Sequence, residues 1–344
     1  MMGRKVRWGI IGCGVISKLH CDALKLADNA ELLAVCDIIE ERAIEKAEKY
    51  NASKIYTNYK EMLSDPEIEA VSICTPSGTH GEICKAAADA GKHIFCEKPM
   101  EITTEKLDDL VAYMENKNVK MGCVFQRRYD PKFMKVKEGI ESGRFGKVIL
   151  ADAYLKYYRS QEYYDSGDWR GTWELDGGGA LMNQGVHGID LLLWFSGEAE
   201  SVFARCETMV RNISVEDTAI ASIKFKNGAI GNIEGTTSVY PAQETRLEIH
   251  MEKGSIIVSD LGIEQWSIEG SDEGIPELPE EIILDTKSDP ANLPGTSHAL
   301  PLWDMADAII NDRQPALPPS KARQAVDLIL SIYKSSDEKM EIML

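Results

Sequence analysis

Along this chain the spacing of hydrophobic positions changes near the middle. Residues 6–11, 32–36, 70–74, 93–96 and 120–125 are nearly continuous apolar runs, the pattern of strands buried on both faces. Between them, 17–27, 39–50, 81–90 and 104–116 repeat their apolar residues at helical spacing. Strand and helix in alternation predict a doubly wound parallel sheet. Thr103 and Thr104, with Glu105 just inside, mark one helix start.

Beyond about residue 145 strands follow one another, over 148–158, 201–210, 218–225, 229–237, 245–251 and 255–259. Lys226-Asn227-Gly228 and Glu252-Lys253-Gly254 are turn signals, and such short connections require antiparallel pairing. Helical segments are expected at 180–195, 300–311 and 320–336. Residues 270–298, rich in acid, proline and glycine, read as an irregular loop. Two domains follow: an α/β domain over 1–125, and an α+β domain over 126–344 with a large, mostly antiparallel, open-faced sheet. The length of 344 residues agrees, because single cores stop growing near roughly 250–300 residues.

Composition narrows the partners. With 38 basic and 56 acidic residues the net charge is -18, which disfavours nucleic acid and anionic membranes. An anionic ligand must therefore be held by local features. No apolar stretch reaches the ~20 residues of a membrane span, and the N-terminus lacks signal-peptide architecture, so a cytoplasmic location is expected. The eight cysteines (13, 21, 36, 74, 84, 96, 123 and 206) form no C-x-x-C pair. Reduced thiols are expected, with neither a disulfide framework nor a metal site.

The candidate chemistry begins at Gly12-Cys13-Gly14-Val15-Ile16-Ser17, where a strand ends and a helix opens. Glycine at 12 permits a tight turn, and glycine at 14 lets the backbone approach a pyrophosphate at the helix N-terminus. Ser17 replaces the third glycine of the usual fingerprint. Asp37 lies 25 residues beyond Gly12, close to the roughly 20-residue spacing at which an acid meets the ribose hydroxyls and repels a 2′-phosphate. NAD is thus expected over NADP.

Two further segments sit at strand ends: Thr75-Pro76-Ser77-Gly78-Thr79-His80 and Cys96-Glu97-Lys98-Pro99. In the second half, Gly177-Gly178-Gly179-Ala180-Leu181-Met182-Asn183-Gln184-Gly185-Val186-His187-Gly188-Ile189-Asp190 opens a helix. Together with the glycine loop, these segments resemble the Gfo/Idh/MocA family of oxidoreductases over essentially the whole chain. The resemblance implies a Rossmann domain and a catalytic Lys98 beside the nicotinamide. It also implies a cis bond before Pro99 and cofactor contacts from Thr75, Pro76, Ser77 and His80, though His80 could equally cap or pack a helix. Glu97 either touches the cofactor, orients Lys98 or forms a structural salt bridge, and Gln126, at the last strand's end, is expected to face the cofactor cleft. A lysine there would stabilise the alkoxide that develops on a substrate hydroxyl.

His187 is the candidate general base, since an imidazole suits proton removal near neutral pH. Asn183, four residues earlier, shares its helix face and is the third candidate catalytic residue. Many relatives carry aspartate where this chain has Asn183, a departure that points away from inositol-type polyols. The Asn-Gln-Gly-x-His version resembles nucleotide-sugar uronate dehydrogenases. Arg127, Arg159, Trp169 and Arg170 are candidate substrate contacts, since arginine grips carboxylate or phosphate and sugars stack on aromatic rings.

The expected activity is NAD-dependent oxidation of a secondary hydroxyl on a sugar or sugar derivative. An NAD-dependent glycosidase of the same fold and a non-catalytic dinucleotide sensor are the alternatives. The resemblance also implies a homodimer or homotetramer formed through the C-terminal sheet.

Overall fold

A computed structural model describes residues 4–278 and 295–344. Two compact units emerge: residues 1–126 with 289–323, and residues 127–288 with 324–344. The first departs from the expected 1–125 domain because the chain returns to it late. The reason lies in α9 (Ala299–Ile310). Its stripe of Leu302, Met305, Ala306 and Ile309 is buried in one core with Val6, Trp8, Ile10, Leu24 and Phe95. Periodicity predicts such a helix but not which core it joins.

In the first unit six strands form a parallel sheet ordered β3-β2-β1-β4-β5-β6. They are β1 (Val6–Ile11), β2 (Ala30–Cys36), β3 (Lys54–Tyr56), β4 (Ala70–Ile73), β5 (His93–Cys96) and β6 (Met121–Cys123). Helices α1 (Ser17–Leu26), α2 (Glu40–Tyr50), α3 (Tyr59–Ser64), α4 (His80–Asp89) and α5 (Thr104–Glu115) cross between them. Thr103 accepts a hydrogen bond from the Lys106 N–H, making it the expected N-cap of α5. Strand β3 and helix α3 escape the hydrophobic pattern because β3 is three residues long and none of the three is buried. The order 3-2-1-4-5-6 reverses direction between β1 and β4, the place where open sheets of this kind bind ligands at their carboxyl edge.

The second unit holds an eight-stranded sheet ordered β13-β12-β11-β7-β10-β9-β8-β14. Its strands are β7 (Val148–Lys156), β8 (Ala199–Glu207), β9 (Thr218–Phe225), β10 (Ile230–Thr236), β11 (Arg246–Met251), β12 (Gly254–Ser259), β13 (Gly262–Ile268) and β14 (Ile342–Met343). Only β7 and β10 pair parallel; the other neighbours are antiparallel. Strand β9 alternates buried Ala219, Ala221, Ile223 and Phe225 with outward Ile220, Ser222 and Lys224. That alternation identifies a sheet with one covered face.

The unit also contains α6 (Pro131–Glu141), α7 (Gln161–Asp165), α8 (Val186–Ser196) and most of α10 (Pro319–Glu338). Helix α8 lies on β7 and β11. It can sit so close because residue 188 is glycine: a Cβ there would come within 2.3 Å of Leu155 Cδ2. Of the irregular loop expected over 270–298, residues 279–294 lie outside the described residues. Among the described residues no helix is long and apolar enough to cross a membrane, and all eight cysteines are free, seven of them buried.

Candidate active site

At the carboxyl edge of the parallel sheet, Gly12 adopts φ +93°, and a Cβ on it would strike the Cys74 carbonyl carbon at 2.7 Å. Only glycine satisfies both constraints. Around Gly14 the opposite holds, since a Cβ would meet nothing within 4 Å. The loop is open above this residue. No side chain caps the start of α1, so the positive end of the helix faces the loop uncovered by a cap. Ser17 does not imitate a third glycine; its buried hydroxyl donates back to the Gly14 carbonyl at 2.6 Å. Val15 is half exposed beside the loop, and Ile16 is partly buried.

Asp37 follows β2 and braces the loop from below. One carboxylate oxygen accepts the Cys13 N–H at 2.7 Å and the other the Ile39 N–H at 2.9 Å. Each oxygen keeps capacity for a further hydrogen bond. The Cys13 thiol is pushed up to about 12 by burial and then by Asp37, so it is no nucleophile. Gln126 lies just past β6, and its buried Oε1 finds no partner among the described residues. An open glycine cradle, a bracing acid and a buried amide oxygen awaiting a donor fit a dinucleotide.

Thr75, Pro76 and Ser77 line the turn after β4, where the Thr79 hydroxyl donates to Thr75 Oγ1 at 2.8 Å. His80 departs from its expected cofactor contact. Its Nδ1 meets the Pro99 carbonyl at 2.7 Å and its Nε2 the Thr75 carbonyl at 2.9 Å. The ring thereby sits between the two strand-end loops, its one N–H donating to one of these carbonyls. The Lys98–Pro99 bond is cis, as the resemblance implies. Lys98 is half-buried, whereas Glu97 is buried against His20 and His298. Neither histidine announces itself in the sequence, because nothing in its spacing links it to Glu97.

In the second unit the Gly177–Asp190 segment takes a form that periodicity does not foresee: a π-helical turn over Ala180–Gly185 that runs into α8. Such turns concentrate at functional sites. Glu216 holds its start almost alone. The carboxylate accepts the Gly179 N–H at 2.8 Å and the Leu181 N–H at 2.9 Å, and the Glu216 carbonyl accepts the Ala180 N–H. The Tyr333 hydroxyl adds a fourth bond at 2.9 Å. Asn183 donates to buried Asp176 at 2.7 Å, which fixes its amide. His187, partly buried, lies in the first turn of α8. Asp190 at the motif's end is structural, forming a bidentate pair with Arg128 at 2.6 and 2.8 Å in a buried setting.

The expected substrate arginines divide. Arg127 is only 3% exposed and faces Asp260 at 3.1 Å, so it forms a buried ion pair instead of a substrate contact. Arg159 and Arg170 instead gather at Tyr163, their guanidinium carbons 5.5 and 4.3 Å from its ring. Arg170 also lies over Trp169 at 4.7 Å. Gln184 ties this cluster to the π-turn, donating to the Tyr163 hydroxyl at 3.0 Å and accepting from Arg159 at 3.1 Å. Arg211 joins over Tyr158 at 5.0 Å. Its sequence context carries no signal; Asp217 brings it there by accepting the N–H groups of 209, 210 and 211. Arg159 Nε and Arg211 Nε are buried without partners among the described residues. None of the three guanidinium groups is in an ion pair there.

The first unit thus offers a dinucleotide berth, and the second a polar helix face carrying a histidine; a chain so built is a two-domain nicotinamide-dependent oxidoreductase. Comparison with known proteins gives the particular family. Residues 6–125 match the oxidoreductase family with an NAD-binding Rossmann fold, and residues 133–257 match the GFO/IDH/MocA C-terminal domain. The chain belongs to the Gfo/Idh/MocA family and is an NAD-dependent dehydrogenase acting on CH–OH groups.

Myo-inositol 2-dehydrogenase of Thermotoga maritima is 31% identical over 269 residues, spanning 74% of this chain and 76% of the relative. Among solved structures, the WlbA dehydrogenase of Bordetella pertussis, in complex with NADH and UDP-GlcNAcA, is 33% identical. It superposes with a TM-score of 0.87 over 99% of both chains. The WlbA dehydrogenase of Chromobacterium violaceum is 32% identical, with a TM-score of 0.88 over 100% of this chain and 97% of that one.

Proposed function

We propose that this protein oxidises a secondary hydroxyl of a nucleotide-sugar uronate, passing hydride to NAD. The observation that carries the substrate class is the arginine cluster of the second unit. Arg159 and Arg170 share the Tyr163 ring, Arg211 lies over Tyr158, and none of the three has a paired carboxylate among the described residues. In a chain of net charge -18, such an arrangement is stabilised by an anion whose oxygens take the unclaimed donors. A uronate carboxylate and a diphosphate supply those oxygens. Asn183 in place of aspartate fits an already acidic substrate, and so does the likeness to proteins solved with UDP-GlcNAcA.

Bound NAD supplies the hydride acceptor. Gly12, Gly14 and the start of α1 would hold its pyrophosphate, Asp37 its adenosine ribose, and Gln126 would offer its buried amide oxygen as an acceptor. Lys98 stabilises the oxygen of the reacting hydroxyl while His187 takes its proton, and Asn183, fixed by Asp176, orients the substrate. The exposed sheet face with Phe203, Ile220 and Ile230 is the surface on which a second copy packs, giving a homo-oligomer.

The test is a panel of nucleotide-sugar uronates, the matching neutral nucleotide sugars and free polyols, read by the absorbance of accumulating NADH. The uronate is expected to exceed its neutral counterpart by at least about a hundredfold in kcat/KM, the worth of two charge-assisted contacts. Arg170→Ala should remove about tenfold of that. Equal or better turnover of neutral polyols refutes the substrate class, and turnover without accumulated NADH refutes the dehydrogenase reading.

A further inference from the structure

Inside the first unit, a hydrogen-bond chain runs through the buried core and stops at Glu97. Trp8 on β1 donates its Nε1–H to Ser72 Oγ on β4 at 2.9 Å. The indole can only donate, so the Ser72 proton is free to point onward to His20 Nδ1, 3.0 Å away on α1. That makes Nδ1 the acceptor, and Nε2–H then donates to Glu97 Oε1 at 2.9 Å. From the other side Ser297 Oγ lies 2.9 Å from His298 Nδ1, and His298 Nε2 lies 3.1 Å from the same Glu97 oxygen. The other oxygen of Glu97 accepts the Lys98 N–H at 3.2 Å.

The indole thus sets the His20 arm to donate toward one carboxylate, on which the His298 ring converges. Glu97 is 4% exposed, and among the described residues no lysine or arginine pairs with it. An unpaired buried charge is costly unless N–H groups surround it. Burial works to raise the Glu97 carboxyl, but the bonds from His20 and His298 outweigh it and hold the group well below its ordinary value. Burial likewise lowers His20 and keeps it uncharged. The groups facing this cluster are Cys74, His80, Cys96 and Lys98.

We propose that His20 and His298 are positioning residues for Lys98: their Nε2–H groups both donate to one oxygen of Glu97, whose other oxygen fixes the Lys98 amide. The segment carrying His298 thereby does more than complete a core, because it locks the strand end that presents the lysine. This inference rests on the assignment of Lys98 to the substrate oxygen. The same three side chains have the composition of a metal site, with ligand atoms all within 4.8 Å of one another. The hydrogen bonds, however, close without an ion.

The test uses the full-length protein and two readouts. Ring ¹⁵N shifts should show a proton on Nε2 of both His20 and His298. A bare Nε2 on either ring, as in the Nδ1–H tautomer, overturns the proposal. In kinetics, His298→Leu should lower kcat about tenfold, since small misplacement of a catalytic group is costly, while the Kd for NAD stays within about twofold. His298→Gln places an amide N–H where Nε2 stood and should recover most of that loss. Equal losses in the two variants, or none in His298→Leu, overturn it. So does one equivalent of divalent metal in the purified protein that His298→Leu lacks. Normal turnover by Lys98→Met would instead refute the Lys98 assignment, leaving the tautomer readout untouched.

Discussion

Glu216 should make the stability of this protein depend on pH in a sense opposite to most carboxylates. Buried on all sides, it is pushed up from about 4.5 to about 7 by desolvation, working against the Leu181 N–H, the Tyr333 hydroxyl and the Gly179 N–H. Tyr164, Cys206 and Tyr333 are the titratable groups that feel its charge. Between those two pH values the folded chain retains a proton that the unfolded chain has released. The stability this group contributes is therefore fully present below pH 4.5 and falls as pH rises through 7. A displacement of that size is worth about 3 kcal/mol.

Glu216→Gln removes the ionisation and isolates the effect. Its amide sets an N–H donor against one of the three bound donors, a loss of about 1–3 kcal/mol at every pH. The difference in stability between variant and wild type should nevertheless move about 2–3 kcal/mol in the variant's favour from pH 5 to 8. Urea unfolding at unit-pH intervals, followed by near-ultraviolet circular dichroism, measures it. A difference that stays constant across the range refutes the reasoning, whatever its size. Because Glu216 anchors the π-turn that carries Asn183 and Gln184, weaker anchoring should also appear as a lower kcat.

Lys98→Met should cut turnover by about 10²–10³-fold, the usual cost of one preorganised stabilising group, with NAD affinity within a few-fold by calorimetry. The oxidative rate should rise with pH across the ionisation of His187, and His187→Ala should flatten that limb; an unchanged profile returns His187 to a packing role. NAD should exceed NADP at least tenfold in kcat/KM, about 1.4 kcal/mol. Asp37→Ser should narrow that gap and also weaken NAD binding, because the Cys13 N–H loses its partner, whereas equal use of NADP by wild type would refute the role of Asp37. Asp190→Asn breaks a buried bidentate pair with Arg128 and should cost about 3–5 kcal/mol in chemical denaturation; a loss below 1 kcal/mol would show the pair to be solvated.

Much of the fold and site is local chemistry and was therefore readable along the chain. The nearly continuous apolar runs at 6–11 and 93–96, bounded by helical periodicity, read as strands covered on both faces, and alternation over 218–225 as a strand covered on one. Gly12 and Gly14 open a loop whose backbone serves an anion, and the neighbours of Lys98 and His187 mark both as exceptional. These signals rest on period and adjacency, which survive in one dimension.

Tertiary structure decided everything that depends on residues far apart in the chain. Helix α9 returns to the first core because that core offered an apolar surface that its stripe could cover. The same return carries His298 to Glu97, 201 positions away. Glu216 reaches the π-turn from the loop before β9, and Asp217 draws Arg211 over Tyr158, while Arg127, so like its neighbours in sequence, is spent on Asp260. Composition and spacing name the donors and acceptors. Which donor meets which acceptor is set by packing, since a buried polar group must take the partner the fold brings to it.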